Sequence, residues 1–256
     1  VRRLFASKKM KYSPAGLLMN SFLGKALKAK LITLGCKVNQ YESDAIMGKL
    51  VKNGFKPAGN DENPDLMIIN TCAVTHKAVL QSKQAIRKAI RENPETIVCA
   101  TGCCVQSDPH EMSKINGTDY IIGNSHKHLL PEILTSSQLN KNIPSSVYCG
   151  DVRDERIFQK LSDCSTGNRA RQFIKIQDGC NDFCTYCIVP YTRGPSRSRP
   201  VQDVIDEIHH ISSSGIHEIV LTGIHIGRYG ADLIPPSSLL TLLHLLLDKK
   251  KWCGPG

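Results

Sequence analysis

Between residues 30 and 134, short apolar runs alternate with stretches of helical spacing. The runs 31–34, 66–70, 96–100 and 120–122 predict strands. Residues 40–53, 77–92 and 109–115 carry apolar positions at helix-like intervals, with Gly54 and Pro94 as stops. Strands that alternate with helices predict an α/β domain with a parallel, doubly wound sheet. Residues 136–171 are polar and without period, as in Ser136-Ser137 and Gly167-Asn168, which predicts a linker between domains. The alternation then resumes. A strand is expected at 172–176, a helix at 201–214 with apolar Val204, Ile205, Ile208 and Ile211, a strand at 218–221, and a last helix near 237–248. The predicted order is an extension at 1–29, an α/β domain at 30–135, the linker at 136–171 and a second α/β region at 172–256.

The predicted strand ends carry cysteines. Cys36 follows the first strand, Cys72 the second and Cys103 the third, at intervals of 36 and 31 residues, one βαβ unit each. In a parallel sheet these ends share one edge, where open α/β sheets bind ligands. The three cysteines are therefore expected to converge. Cys104, next to Cys103, is an alternative to it. Cys99 lies inside a predicted strand and is expected in the core. Cys149, Cys164 and Cys253 show no partner pattern and are expected as free thiols.

A second set lies in one loop, Cys180, Cys184 and Cys187, directly after the strand at 172–176. Thiolate is the usual protein ligand for iron–sulfur clusters. Three thiolates hold three irons of a cubane and leave the fourth open to a small ligand, as a catalytic zinc keeps an open position. Zinc sites more often pair two C-x2-C knuckles, or one knuckle with two histidines.

Charge and composition narrow the partners. The 256 residues carry a net charge of +10, which favours a polyanion, nucleic acid before membrane surface. Aromatic residues make up 5%, too few for a base-stacking platform of the single-strand-binding kind. Eleven cysteines without a secretory apolar segment point to a reducing, cytoplasmic compartment with metal or redox thiols. No run of 18 apolar residues exists to span a membrane. Residues 1–41 hold nine Lys/Arg and no acid, and the chain begins with Val1. A basic arm, an organelle targeting peptide and leftover upstream sequence all fit that segment.

The stretch 177–194, QDGCNDFCTYCIVPYTRG, resembles the cluster loop of the radical S-adenosylmethionine methylthiotransferases. GCKVNQYES at 35–43, NTCAVT at 70–75 and TGC at 101–103 resemble the N-terminal domain of the same enzymes. The resemblance implies two 4Fe–4S clusters, one on Cys36, Cys72 and Cys103 and one on Cys180, Cys184 and Cys187. The second would cleave S-adenosylmethionine to a radical that removes hydrogen from an unreactive carbon, and the first would serve as sulfur source or carrier. Tyr186 matches the aromatic position near the adenine of the cofactor, and Thr222 and Gly223 open a loop that resembles the glycine-bearing cofactor loop. No side chain is assigned as general acid or base, and His209, His210 and His225 are expected to be ordinary histidines.

Family members insert a methylthio group into tRNA or a ribosomal protein. GCKVNQYES resembles the branch that acts at C2 of N6-threonylcarbamoyladenosine beside the anticodon, with tRNA and an electron donor such as flavodoxin or ferredoxin as partners. The branches for isopentenyladenosine tRNA and for a ribosomal protein differ after the first cysteine. After Asp232 the resemblance stops. The family continues the partial (β/α) barrel and adds a β-rich RNA-binding domain, so a truncated product or fragment with poor turnover is expected. The rival reading is a metal-binding RNA module without turnover.

Overall fold

The computed structural model describes residues 26–59, 61–136, 139, 141, 145–161, 171–216 and 218–248. Most of the basic extension, together with Cys164 and Cys253, lies outside them.

The first half is built on a parallel sheet. Its elements run β1 (Lys28–Thr33), α1 (Lys37–Lys52), β2 (Lys56–Pro57), β3 (Leu66–Thr71), α2 (His76–Glu92), β4 (Ile97–Gly102), α3 (Cys103–Ser107), α4 (Pro109–Ser113), β5 (Tyr120–Ile122), α5 (Leu130–Ser136) and β6 (Ser146–Tyr148). The strand order is β2-β1-β3-β4-β5-β6, with every pair parallel. β3 and β4 are buried along their whole length, which is why both read as unbroken apolar runs. Side chains alternate between the two faces. Leu66, Ile68 and Cys99 pack under α1 and α5 through Ile46, Leu50 and Leu130. Met67, Ile69, Val98 and Ala100 pack under α2, α3 and α4 through Ile86, Val105 and Met112. Helices cover both faces, as the alternation predicts, and Cys99 is core.

Two differences from the sequence reading matter for function. The stretch 136–171, read as linker, supplies β6, which pairs with β5 through Tyr120↔Ser146 to Ile122↔Tyr148. Unlike the equally short but fully apolar β5, the Ser-Val-Tyr of β6 sits in a polar stretch and makes no apolar run. The third predicted strand runs on to Gly102, and Cys103 begins a short helix, α3, directly after it, an element the sequence pattern did not predict.

The second half runs β7 (Arg171–Lys175), β8 (Gln177–Asp178), α6 (Val189–Arg193), β9 (Arg197–Ser198), α7 (Val201–Ser213), β10 (Glu218–Thr222) and α8 (Leu239–Leu247). β10 pairs parallel with β7, and α7 crosses between them with Val204, Ile208 and Ile211 against Ile174 and Ile176. This is one strand–helix–strand unit of the expected partial barrel. β8 and β9 form a short antiparallel pair that closes the base of the cysteine loop. No helix among the described residues is long and apolar enough to cross a membrane.

Candidate metal centres

In this strand order the connection from β1 leaves toward one face and that from β3 toward the other. The divergence opens a crevice at their C-terminal ends, the position where doubly wound sheets take ligands. Cys36, Cys72 and Cys103 lie there. Cys36 is exposed and caps α1 from extended backbone, while Cys72 and Cys103 are buried.

The three junctions touch. Gly35 has φ +96°, and a Cβ there would lie 2.7 Å from Cys72 Sγ, so only glycine fits. A Cβ on Gly102, at φ +101°, would meet Thr71 O at 2.4 Å. Asn39 Nδ2 donates to Leu34 O at 2.8 Å and Thr71 O at 3.0 Å, which binds the first junction to the second. Thr71 Oγ1 donates to Thr101 O at 2.6 Å and binds the second to the third. Ser82 on α2 accepts from Cys72 N and donates to Cys72 O, both at 3.1 Å, and so fixes that cysteine's backbone. Burial pushes the Cys72 thiol up, and Cys103 and Cys36 add to it, while Val74 N–H and Arg193 act the other way.

Cys103 and Cys104 face opposite ways. Cys103 Sγ accepts from Asn124 Nδ2 at 3.5 Å on the crevice side. Cys104 packs in the core with Ile86 and Met112, and burial pushes its thiol up to about 11. A ligand must be a deprotonated thiolate aimed at the metal. Cys103→Ser is therefore expected to lose the iron held by this set and Cys104→Ser to keep it, as counted by iron and sulfide analysis after reconstitution. The opposite pattern would move the ligand by one residue.

The second set sits on the loop between β8 and α6. Cys180 N donates to Gly194 O at 3.0 Å, and Cys187 N donates to Cys184 O at 2.9 Å. Cys184 is exposed, and Cys180 and Cys187 are half-buried. Burial raises the Cys180 thiol, with Asp182 and Cys187 as close neighbours. Tyr186 is 89% exposed, so its ring is presented to solvent beside the cysteines. Thr222 is buried at the end of β10, and a Cβ on Gly223 would lie 3.0 Å from Gln177 O. Gln177 Oε1 accepts from Ile224 N at 2.9 Å and His225 N at 2.7 Å and so clips the glycine loop to the cysteine loop. Between them is a cleft of about 350 Å³ lined by Cys180, Asp182, Ser196, His225, Arg228 and Asp232.

His225, expected as an ordinary histidine, has an acidic neighbour. Its Nδ1 lies 3.0 Å from Asp182 Oδ2, and Arg228 reaches the other oxygen at 3.5 Å. Donor atoms of Cys180, Asp182 and His225 lie within 4.8 Å of one another.

Each set offers three soft thiolate donors, the kind that suits iron–sulfur chemistry, the first at the crevice with Cys36 exposed and Cys72 and Cys103 buried, the second on an open loop beside the cleft; among the described residues neither set has all three sulfurs within 4.8 Å of one another.

A buried ionic network joins the two halves. Glu42 on α1 accepts from Lys127 Nζ at 2.7 Å, Lys175 Nζ at 2.8 Å and Arg193 at 2.9 Å. Asp178 accepts from Lys175 at 3.0 Å and Arg193 at 3.0 Å, with Arg197 at 3.7 Å. Burial alone would raise the Glu42 carboxyl, but Arg193, Lys127 and Lys175 outweigh it and hold it well below the usual range. Asp178 is likewise held down, chiefly by Lys175 and Arg193 against its burial. Nearby, Arg199 pairs with Glu207, whose carboxylate lies 3.4 Å from Tyr41 of α1. Sequence reasoning assigned no role to Glu42, Gln177, Asp178, Asp182 or Arg193. Glu42 falls within GCKVNQYES, and Gln177, Asp178, Asp182 and Arg193 fall within the 177–194 stretch. A charged residue in an otherwise buried helix face was the available signal for Glu42.

Comparison with known proteins agrees with this layout. Residues 28–123 match the uncharacterized protein family UPF0004, and residues 174–228 match the Radical SAM superfamily. The threonylcarbamoyladenosine tRNA methylthiotransferase MtaB of Bacillus subtilis is 38% identical over 201 residues, covering 78% of this chain and 44% of that protein. Its namesake from Aquifex aeolicus is 35% identical, with 80% and 50% covered. A tRNA-2-methylthio-N(6)-dimethylallyladenosine synthase of Bacillus licheniformis is 31% identical, with 82% and 42% covered. The chain thus spans about half the length of the curated relatives it matches. In structure it resembles the radical S-adenosylmethionine methyltransferase TsrM of Kitasatospora setae. The TM-score is 0.57 at 15% identity, over 88% of this chain and 51% of that one, a likeness of fold alone.

Proposed function

The chain belongs to the radical S-adenosylmethionine methylthiotransferase family, and from that premise we propose that it serves methylthiolation of tRNA at C2 of N6-threonylcarbamoyladenosine beside the anticodon. The observation that carries the reading is the pairing of two separate three-cysteine sets in one chain, one at the switch point of the sheet and one on the loop after β8. Cys36, Cys72 and Cys103 would hold one 4Fe–4S cluster, and Cys180, Cys184 and Cys187 another. Such clusters supply one-electron reduction of S-adenosylmethionine and carry sulfur, chemistry that belongs to the cofactors.

The protein's own residues position and shield. Gln177 holds the Thr222-Gly223 loop against the cysteine loop, which gives the cleft beside Cys180 a fixed wall. Tyr186 offers a flat apolar face for the adenine of the cofactor. Because its ring is exposed, its removal leaves the fold intact. Tyr186→Ala is expected to weaken S-adenosylmethionine binding about fivefold, from about 1 kcal/mol of lost stacking. Calorimetry on the reconstituted protein reads this, and unchanged affinity places the adenine elsewhere.

The net charge of +10 suits tRNA as partner, with affinity that falls steeply with salt. The need for low-potential electrons suits flavodoxin or ferredoxin, and the reduced thiols suit the cytoplasm. The function is tested by nucleoside mass spectrometry of tRNA incubated with the reconstituted protein, reductant and S-adenosylmethionine. The expected product is the 2-methylthio derivative of N6-threonylcarbamoyladenosine. Methylthiolation of isopentenyladenosine alone would assign the other tRNA branch.

A second reading has one observation behind it, the close approach of Cys180, Asp182 and His225, a donor set that suits zinc. Absorption after anaerobic reconstitution separates the two, since zinc gives no visible band.

A further inference from the structure

Arg193 stands between the two cysteine sets. Its guanidinium is buried and donates to Glu42 Oε1 at 2.9 Å, Asp178 Oδ1 at 3.0 Å and Asn39 Oδ1 at 2.7 Å. On one side Asn39, which it holds, donates to Leu34 O and Thr71 O beside Cys36 and Cys72. On the other, Asp178 Oδ1 also accepts from Gly179 N at 2.9 Å, one residue before Cys180. The backbone repeats the connection. Thr192 O accepts from Asn124 Nδ2 at 2.8 Å, the same amide that reaches Cys103 Sγ at 3.5 Å. Gly194 O accepts from Cys180 N at 3.0 Å. The three residues from Thr192 to Gly194 thus reach the first set at one end and the second at the other.

Among the described residues of this network, cations outnumber carboxylates. Lys127, Lys175, Arg193 and Arg197 lie within ion-pair distance of two carboxylates, Glu42 and Asp178. Glu155, on the wall of the adjoining cavity, still leaves the cations in excess. Buried charge without a partner is costly, and electrostatic interactions reach further in the low dielectric of the interior. An anionic centre on Cys72 and Cys103 would supply the missing negative charge.

We propose that Arg193 is a positioning residue that links the two cysteine sets, neutralising negative charge at the first while its bond to Asp178 holds the loop of the second. The inference rests on the reading of both sets as cluster ligands. A cation beside a cluster stabilises the reduced, more negative state. In a chain with Cys180, Cys184 and Cys187 changed to Ala, only the first set reports. There Arg193→Met is expected to shift the midpoint potential to more negative values in a dithionite titration followed by electron paramagnetic resonance, and Arg193→Lys to restore most of the shift. Full iron content with an unshifted potential in Arg193→Met overturns the proposal.

A second measurement needs no change at Arg193. Loading the first set in the chain with Cys180, Cys184 and Cys187 changed to Ala is expected to slow hydrogen exchange at the amides of residues 179 and 180 by about tenfold, because their acceptors tighten around Arg193. Equal exchange in loaded and apo protein also overturns it. If the first set takes up no iron, the ligand assignment itself fails, a result distinct from either of these.

Discussion

Changing Cys180, Cys184 and Cys187 together to Ala is expected to remove about half of the iron from the reconstituted protein, and changing Cys36, Cys72 and Cys103 the other half. Two clusters of four irons give about eight per chain. The two sets can be separated because they sit on different backbones. The first is held by three junctions of the parallel sheet and the second by one loop after β8. Each triple variant is expected to keep about four irons and the absorption of its remaining cluster. The substitutions differ in structural risk. Cys184 is exposed and Cys180 and Cys187 half-buried, whereas Cys72 and Cys103 are buried among touching backbones. Iron content unchanged by either triple substitution would falsify that ligand set.

Glu42→Ala is expected to destabilise the chain by about 3–5 kcal/mol, the usual cost of removing one partner from a buried ion pair. Glu42 is 2% exposed and meets Lys127, Lys175 and Arg193, so its loss leaves Lys127 without a carboxylate and Lys175 and Arg193 with Asp178 alone in the interface between the halves. Urea denaturation of the apo protein reads the effect, and a change below about 1 kcal/mol, the scale of exposed pairs, would mean that water screens the network. The pH dependence follows from the same contacts. Glu42 and Asp178 titrate lower in the folded chain than in the unfolded one. Their contribution is therefore complete above the ordinary carboxylate range, about pH 5, and disappears as pH falls toward the depressed folded values. Glu42→Gln is expected to flatten that acid limb as well as lower the plateau.

Periodicity revealed the sheet wherever a strand was long enough to carry a pattern. β3 and β4, six residues each and buried on both faces, read as apolar runs, and their ends located Cys72 and Cys103. β2, β8 and β9 have two residues each and β6 is a Ser-Val-Tyr within a polar stretch, so no local signal marks them, and their pairing is set by the neighbouring strand. The convergence of three distant cysteines followed from topology, since parallel strands must end on one edge. The contacts of Arg193, Glu42 and Asp178 could not be read the same way. They join residues up to 154 positions apart across the two halves, and nothing in a one-dimensional pattern records which buried charges will meet. His225 illustrates the same limit. Its partner Asp182 lies on another loop, and only the folded chain places the two at 3.0 Å.

The two cysteine sets also differ in when they exist. Cys180, Cys184 and Cys187 lie within eight residues, so closing their loop is cheap and needs little of the fold. Cys36, Cys72 and Cys103 span 68 residues and meet only when β1, β3 and β4 are in register, a non-local assembly that forms slowly. The sheet site therefore forms only with the folded sheet, while the loop site needs mainly its own local closure. Iron supplied too early would find the loop competent and the sheet site still scattered along an unfolded chain. Expression under delayed iron supply should therefore raise the share of chains with both sites filled.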